Sequence, residues 1–262
     1  MLTLLSPAKK MNMDAPATKL SATRPRFETD TKELAVLAKT KTANDLRNLM
    51  HISDNLANLN VERFQAFNLD GQSNSSKSAG LAFDGDVYWG LEAKSLSDED
   101  LNYAQDHLRI LSGLYGILRP MDAIQPYRLE MGTKFENQRG KNLYAFWKDT
   151  LAPSLNAELE SHADSTIFNL ASNEYFKAAN TKALNSHVIS AKFMEDKDGK
   201  SRPVQYYTKF ARGLMTRWIM QNRVDRAEGL KDFDSNGYKF DPARSTEDVL
   251  VFARPQPPKK GK

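Results

Sequence analysis

The chain contains no cysteine in 262 residues. That absence excludes disulfide scaffolding, thiolate metal sites, cysteine nucleophiles and thiol-based peroxide chemistry. Histidine is scarce as well: His51, His107, His162 and His187 are scattered, without metal-ligand spacing or an H-E-x-x-H pair. Neither a bound metal nor a cofactor is expected. No apolar run approaches the ~20 residues that a membrane span requires. The opening Met1-Leu2-Thr3-Leu4-Leu5 has no basic leader and soon meets Pro7, so it does not read as a signal peptide. A cytoplasmic location is the expectation. Phosphate-binding loops of the G-x-x-x-x-G-K-[ST] and G-x-G-x-x-G types are missing, and so is the G-x-S-x-G elbow of serine hydrolases.

What remains is a length suited to one large folding unit, which buries roughly three quarters of its extended-chain surface. Apolar runs and helical periodicities are mixed without the regular alternation of a doubly wound sheet, so the fold class expected is mixed α/β (α+β). No internal repeat and no linker divides the chain. The expectation is a single domain over residues 1–253, followed by a disordered, basic, proline-rich tail over 254–262.

The balance of 37 basic and 33 acidic residues gives a net charge of only +4, so distribution matters more than total. Residues 1–100 hold 12 basic and 14 acidic side chains, whereas residues 101–262 hold 25 and 19. Between residues 199 and 224 stand Lys200, Arg202, Lys209, Arg212, Arg217 and Arg223, with no acid. In the same stretch Tyr207, Phe210, Ala211, Leu214, Met215, Trp218 and Ile219 recur at helical spacing. Lys209, Arg212 and Arg223 then fall within about 60° of one another on the opposite face, flanked by Arg217. A solvated face usually mixes signs, because opposite charges four apart stabilise a helix. A purely cationic row is a footprint for a polyanion.

Other elements follow from local chemistry. Residues 1–6 read as a buried strand that delivers Lys9 in a loop at its C-terminal end. A helix is expected within residues 31–50, another over 55–67 capped by Ser53, and one starting at Ser97-Asp98-Glu99-Asp100 and running towards Leu111. A weaker helix is read over 145–159. Residues 71–80 read as a polar, mobile loop. Strands are expected at 166–170, 187–193, 204–207, 238–240 and 249–254.

Two segments carry further chemistry. In Ser112-Gly113-Leu114-Tyr115-Gly116, between Arg109 and Arg119, two glycines around an apolar pair would let backbone amides face a phosphate, or would serve packing alone. The segment resembles a helix-hairpin-helix DNA-binding element, with the glycines one residue further apart and Pro120 and Pro126 interrupting the second helix. In Asn169-Leu170-Ala171-Ser172-Asn173-Glu174, polar groups end a strand, as Lys9 does. Lys9, Asn169 and Glu174 converging there would suit binding of a base or ribose, or acid–base chemistry. The plainer reading is a helix start, with Ser172 or Asn173 as cap and Glu174 in the first turn.

Together these segments resemble the YaaA peroxide-stress-resistance family of bacterial cytoplasmic proteins. The resemblance runs from Leu5-Ser6-Pro7-Ala8-Lys9 to Val251-Phe252. It includes Ile52-Ser53-Asp54, Arg63-Phe64, Gly85-Asp86-Val87-Tyr88, His107-Leu108-Arg109 and the segment 111–120. It continues through 125–132, Asn169-Leu170-Ala171-Ser172, Glu174-Tyr175-Phe176-Lys177 and Ala211-Arg212-Gly213-Leu214-Met215. It implies a compact cantaloupe fold with a basic cleft and a helix-hairpin-helix element. It also implies DNA binding and protection against hydrogen peroxide, associated with lowered free iron.

Three functions compete. The first is a monomeric DNA-binding protein of the peroxide response, gripping the backbone through Arg109, Gly113, Gly116, Arg119, Lys209, Arg212, Arg217 and Arg223. The second is an enzyme acting on a base or nucleoside in nucleic acid, with Lys9, Asn169 and Glu174 as its pocket. The third, an iron-binding protein, needs clustered carboxylates and histidines, and the scattered histidines count against it.

Overall fold

Four residues near the N-terminus set the architecture: β1 (Leu2–Leu5) is buried along its whole length. The computed structural model describes residues 1–14, 18–70, 73 and 75–258. The further strands are β2 (Lys10–Met11), β3 (Lys77–Ser78), β4 (Phe83–Asp84), β5 (Leu108–Ser112), β6 (Gly116–Leu118), β7 (Ala123–Ile124), β8 (Ile167–Asn169), β9 (Val188–Lys197), β10 (Lys200–Arg202), β11 (Lys239–Phe240) and β12 (Val249–Pro255). The α-helices are α1 (Glu28–Lys39), α2 (Ala43–Met50), α3 (Asp54–Ala66), α4 (Ala79–Ala82), α5 (Asp86–Leu91), α6 (Asp98–His107), α7 (Leu143–Trp147), α8 (Leu151–Leu159), α9 (Asn173–Phe176) and α10 (Gln205–Gln221). The fold is mixed α/β, as expected.

The main sheet has the order β11-β12-β9-β8-β1-β5-β6, with β10 paired to β9. Strands β12, β9, β8, β1 and β5 are parallel, and β6, β10 and β11 are antiparallel to their neighbours. Parallel strands covered on both faces need near-continuous apolar sequence, which Leu2–Leu5 and Leu108–Ser112 supply. Strand β9 alternates in burial instead and reaches the periphery as a charged hairpin with β10.

Helix starts follow their side-chain chemistry. Thr42 with Asp45 and Ser97 with Asp100 form capping boxes, and the Ser53 hydroxyl accepts from the Leu56 amide. The stretch 31–50 holds two helices, broken around Thr40–Thr42, and the stretch 145–159 likewise holds α7 and α8. Helix α10 crosses α5 backbone to backbone: a Cβ on Gly213 would lie 1.8 Å from the Val87 carbonyl oxygen, and one on Gly90 2.1 Å from that of Phe210.

Four readings of the sequence are corrected. Residues 108–118 form the β5–β6 hairpin rather than helix-hairpin-helix, because apolar Leu108–Ser112 pairs parallel to β1 and stops α6 at His107. Residues 204–207 are not a strand; Gln205 begins α10, whose apolar stripe overrides the β preference of Tyr206 and Tyr207. The tail does not begin at 254. Strand β12 continues through Pro255, and buried Arg254 binds Glu195 with both Nε–oxygen distances at 3.1 Å while Tyr238 donates to the same carboxylate. Residues 259–262 lie outside the described residues. In the expected loop 71–80, residues 71, 72 and 74 also lie outside them, while 77–78 form β3 and 79–80 open α4.

Below the sheet, His162 lies 3.2 Å from the Met1 amino group and edge-on to His107, which stacks on Tyr103. Burial, then the amino group and His107, push the His162 pKa down to about 4 from 6.5. The unfolded chain therefore binds the extra proton, so this contribution is complete above about pH 6.5 and is lost as pH falls towards 4. The denaturant midpoint of wild type should fall between pH 6.5 and 5, and His162→Gln should flatten that interval. Parallel curves for the two proteins would refute a half-buried imidazole held neutral.

Candidate functional site

The carboxyl ends of β1 and β8 lie side by side, with Leu4 in register with Asn169. Ligands of parallel sheets bind at this edge. The loop after β1 is tied down there: the Ser6 hydroxyl accepts from the Ser172 amide at 2.9 Å, and buried Tyr88 donates to the Ser6 carbonyl at 3.0 Å. Beyond these ties Lys9 reaches a cleft of about 750 Å³ that also contains Glu130, Gly132 and Glu174. The end of α2 supplies Asn48 and His51, the latter left-handed at φ 52°.

The chemistry centres on Glu130. Its Oε1 accepts from Arg128 Nη2 at 2.9 Å and Nε at 3.1 Å, and Lys9 Nζ lies 3.2 Å from it. Arg63, on α3, is half-buried beside Arg128; burial, then Arg128, lower its pKa. Among the described residues Arg63 forms no ion pair. Glu174 stands in the first turn of the four-residue helix α9, as the plainer reading has it, and its Oε1 accepts from the Gly132 amide at 2.9 Å across the cleft wall. Tyr144 donates to the Glu174 carbonyl at 3.0 Å.

Lys9 and Glu174 thus share one cleft. Asn169 stands apart from it, donating to Ser190 at 3.4 Å and accepting from the Ala171 amide at 3.0 Å. The cleft is not basic, since Lys9, Lys41 and Lys134 face Asp45, Glu130, Glu136 and Glu174. Sequence reasoning passed over Arg63, Arg128 and Glu130. The signal was available: all three stand in the segments that carried the family resemblance.

The candidate phosphate-binding residues are placed otherwise than expected. Arg109 is buried and forms an ion pair with Glu158, which also holds Arg26 at 2.7 Å. Gly113 and Gly116 are buried under other chain: Trp147 Nε1 donates to the Gly113 carbonyl at 3.0 Å, and a Cβ on Gly116 (φ +70°) would lie 2.8 Å from the Trp147 ring. Arg119 binds Asp122 at 2.9 Å. Three of the four cations of the helix row, Lys209, Arg217 and Arg223, are engaged by neighbouring elements. Arg223 lies beyond the helix, 2.7 Å from Asp100, while Arg217 donates to the Leu91 and Glu92 carbonyls at 3.1 and 3.0 Å. Lys209 is 3.9 Å from Asp86. Arg212 points inward; burial lowers its pKa, and its Nε has no partner among the described residues. Lys192, Lys197, Lys200 and Arg202, all exposed on β9 and β10, are among the cations that form no ion pair among the described residues.

Removing Arg109 leaves Glu158 buried with Arg26 alone. Arg109→Ala should cost about 3 kcal/mol of stability, at the low end for a broken buried pair. Chemical denaturation measures it, and a loss under about 1 kcal/mol would assign Arg109 a surface role instead.

Among the described residues, no group of three or more His, Cys, Asp or Glu side chains is placed to hold a metal ion. Nor is any helix among them long and apolar enough to cross a membrane. The family model described as "Peroxide stress protein YaaA" matches residues 1–244. A UPF0246 protein of Caulobacter vibrioides is 52% identical over 257 residues, spanning 98% of this chain and 100% of the relative. A UPF0246 protein of Saccharophagus degradans is 50% identical over 256 residues, with the same two coverages. One of Aliivibrio fischeri is 46% identical over 254 residues, spanning 97% of this chain and 98% of the relative. Matches that span nearly the whole of both partners leave no part of the fold unaccounted for, and the chain belongs to the YaaA peroxide-stress family.

Proposed function

We propose that the protein binds DNA in the peroxide-stress response and limits iron- and hydrogen-peroxide-dependent damage to it, as a cytoplasmic monomer without a cofactor. One observation carries this reading. Lys192, Lys197, Lys200 and Arg202 are exposed on the β9–β10 hairpin, and none of them forms an ion pair among the described residues. Of their acidic neighbours, Asp196 is already held by Arg244 at 3.4 Å, and Asp198 stands in the turn between the two strands. The hairpin leads into α10, which has no side-chain cap and no acid in its first turn, so its dipole adds to the same positive field. Such a surface grips phosphates without reading bases. The hairpin takes over the role expected of Lys209, Arg212, Arg217 and Arg223.

Lys197 and Lys200 are cross-strand neighbours. Neutralising both removes a like-charge pair and should leave folding unharmed. Lys197→Gln with Lys200→Gln should weaken duplex DNA binding at low salt and lower the log–log salt slope by about 1.8. An unchanged slope would refute the assignment.

A second reading, an enzyme acting on a base or nucleoside, is favoured by the cleft, where Lys9 and Glu174 stand with Glu130 between polar walls. Glu174→Gln keeps the acceptor for the Gly132 amide. It should abolish peroxide protection in cells while DNA affinity and melting temperature stay at wild-type values. Full protection by the variant would eliminate this reading.

A further inference from the structure

A lysine in a cleft is either one half of an ion pair or a nucleophile, and the surroundings of Lys9 separate the two. The loop that carries it is fixed at the carboxyl end of β1 by the ties of Ser6 to Ser172 and Tyr88. Its side chain is nevertheless 69% exposed and pairs, among the described residues, with Glu130 alone, Oε1 lying 3.2 Å from Nζ. That carboxylate is itself held in place: only 13% of its side chain is exposed, and Arg128 donates to the same Oε1 through Nη2 and Nε. Arg128 already answers the charge of Glu130, so Lys9 is not needed to neutralise it. A mobile amine on a rigid mount, within proton-transfer reach of a fixed carboxylate, is the geometry of a Schiff-base lysine.

The rest of the lining selects the electrophile. Lys9, Lys41 and Lys134 are outnumbered by Asp45, Glu130, Glu136 and Glu174, which disfavours a phosphate or carboxylate at the reacting end. A neutral carbonyl meets no such penalty. Glu130 and Glu174 each engage Oε1 and, among the described residues, leave Oε2 to accept from a ligand hydroxyl. Asn48 and Thr133 add neutral polar groups, and a volume of about 750 Å³ suits a small molecule. The occupant is therefore a neutral carbonyl compound that carries hydroxyls.

We propose that Lys9 is a catalytic nucleophile that forms an imine with a hydroxyaldehyde, the open-chain form of a sugar, in this cleft. Lys9 gives one ammonium proton to Glu130, and its nitrogen pair attacks the carbonyl carbon while the carbonyl π pair moves to oxygen. A second proton passes from nitrogen to that oxygen, giving a carbinolamine. Glu130 returns its proton to the hydroxyl, water leaves, and the nitrogen pair closes a protonated C=N bond. Nothing is oxidised or reduced. This role rests on the cleft as the site of an enzyme. The same aldehyde occurs on a free sugar and on an abasic site of a DNA strand.

Reductive trapping tests it. The full chain is incubated with D-erythrose, or with an oligonucleotide bearing an abasic site, in the presence of cyanoborohydride, and peptide mapping locates the adducts. A carboxylate that only pairs with an ammonium favours its charged, unreactive form. As half of an ion pair, Lys9 would therefore label more slowly than the exposed Lys197 and Lys200. As a nucleophile it should label at least about tenfold faster than either. Labelling of Lys9 at or below their rate overturns the proposal, and so does an equal preference for Lys9 with propanal, which carries no hydroxyl. Glu130→Gln should slow the labelling of Lys9 about a hundredfold or more and leave Lys197 unchanged, whereas loss of a mere ion-pair partner would speed it up. Buried Lys77 reports the integrity of the variant, since it labels only if the fold opens. Faster trapping of the abasic strand than of erythrose identifies DNA as the source, and slower trapping the free sugar; either supports the imine. Without a Lys9 adduct the imine fails even if Glu174→Gln abolishes protection, which leaves an enzyme of other chemistry. With one it stands even if that variant protects fully.

Discussion

Everything functional hangs on β1 being clamped between β5 and β8. Leu2, Leu4 and Leu5 are wholly removed from solvent, and each such side chain contributes about 1.5–3 kcal/mol when buried. Strand β1 is buried on both faces, so its register is fixed by close packing of side chains on each side rather than by polar alternation. The fixed register of Leu4 with both Arg109 and Asn169 aligns three loops on one edge of the sheet. The position of Lys9 relative to Glu130 and Glu174 is a consequence of that alignment rather than of local loop structure.

Charge shows the difference between sequence neighbourhood and spatial neighbourhood. The window 199–224 contains no acid, yet α5 and α6 bring Asp86, Glu92 and Asp100 to its cations. Arg109 and Arg254 are drawn inside by Glu158 and Glu195, each a long way off in the chain. Arg63 has acids nearby in sequence and lies beside another arginine in space. Partnering of cations is a property of the fold rather than of the sequence window in which they stand.

Features with local causes were legible in the sequence. The caps at Ser53 and Ser97, the mixed α/β class and four of the five later strands follow from side chains within a few residues of each other. Lys9 and Glu174 were found because polar groups at strand ends mark an edge. Features with non-local causes were hidden. Two glycines in an apolar turn look the same whether Trp147 or a phosphate covers them, and Arg254 looks like the start of a basic tail until Glu195 is known to face it. Glu130 is an ordinary surface acid until Lys9 and Arg128 meet on it.

The place of β1 also has a consequence for how the chain is made. The strand is made before both of its neighbours, β5 and β8, which lie far downstream. At about 5–20 residues per second, the interval before Ile167 appears is of the order of ten seconds. The helices α1 to α3 can fold early from local contacts, whereas Leu2–Leu5 has no partner until β5 is made and no second one until β8. Until β5 is made this segment is a free apolar strand with both edges open, and until β8 is made it keeps one open edge, the kind of surface that aggregates or recruits a chaperone. Production of the protein is therefore expected to be limited less by the stability of the finished sheet than by the shelter given to Leu2–Leu5.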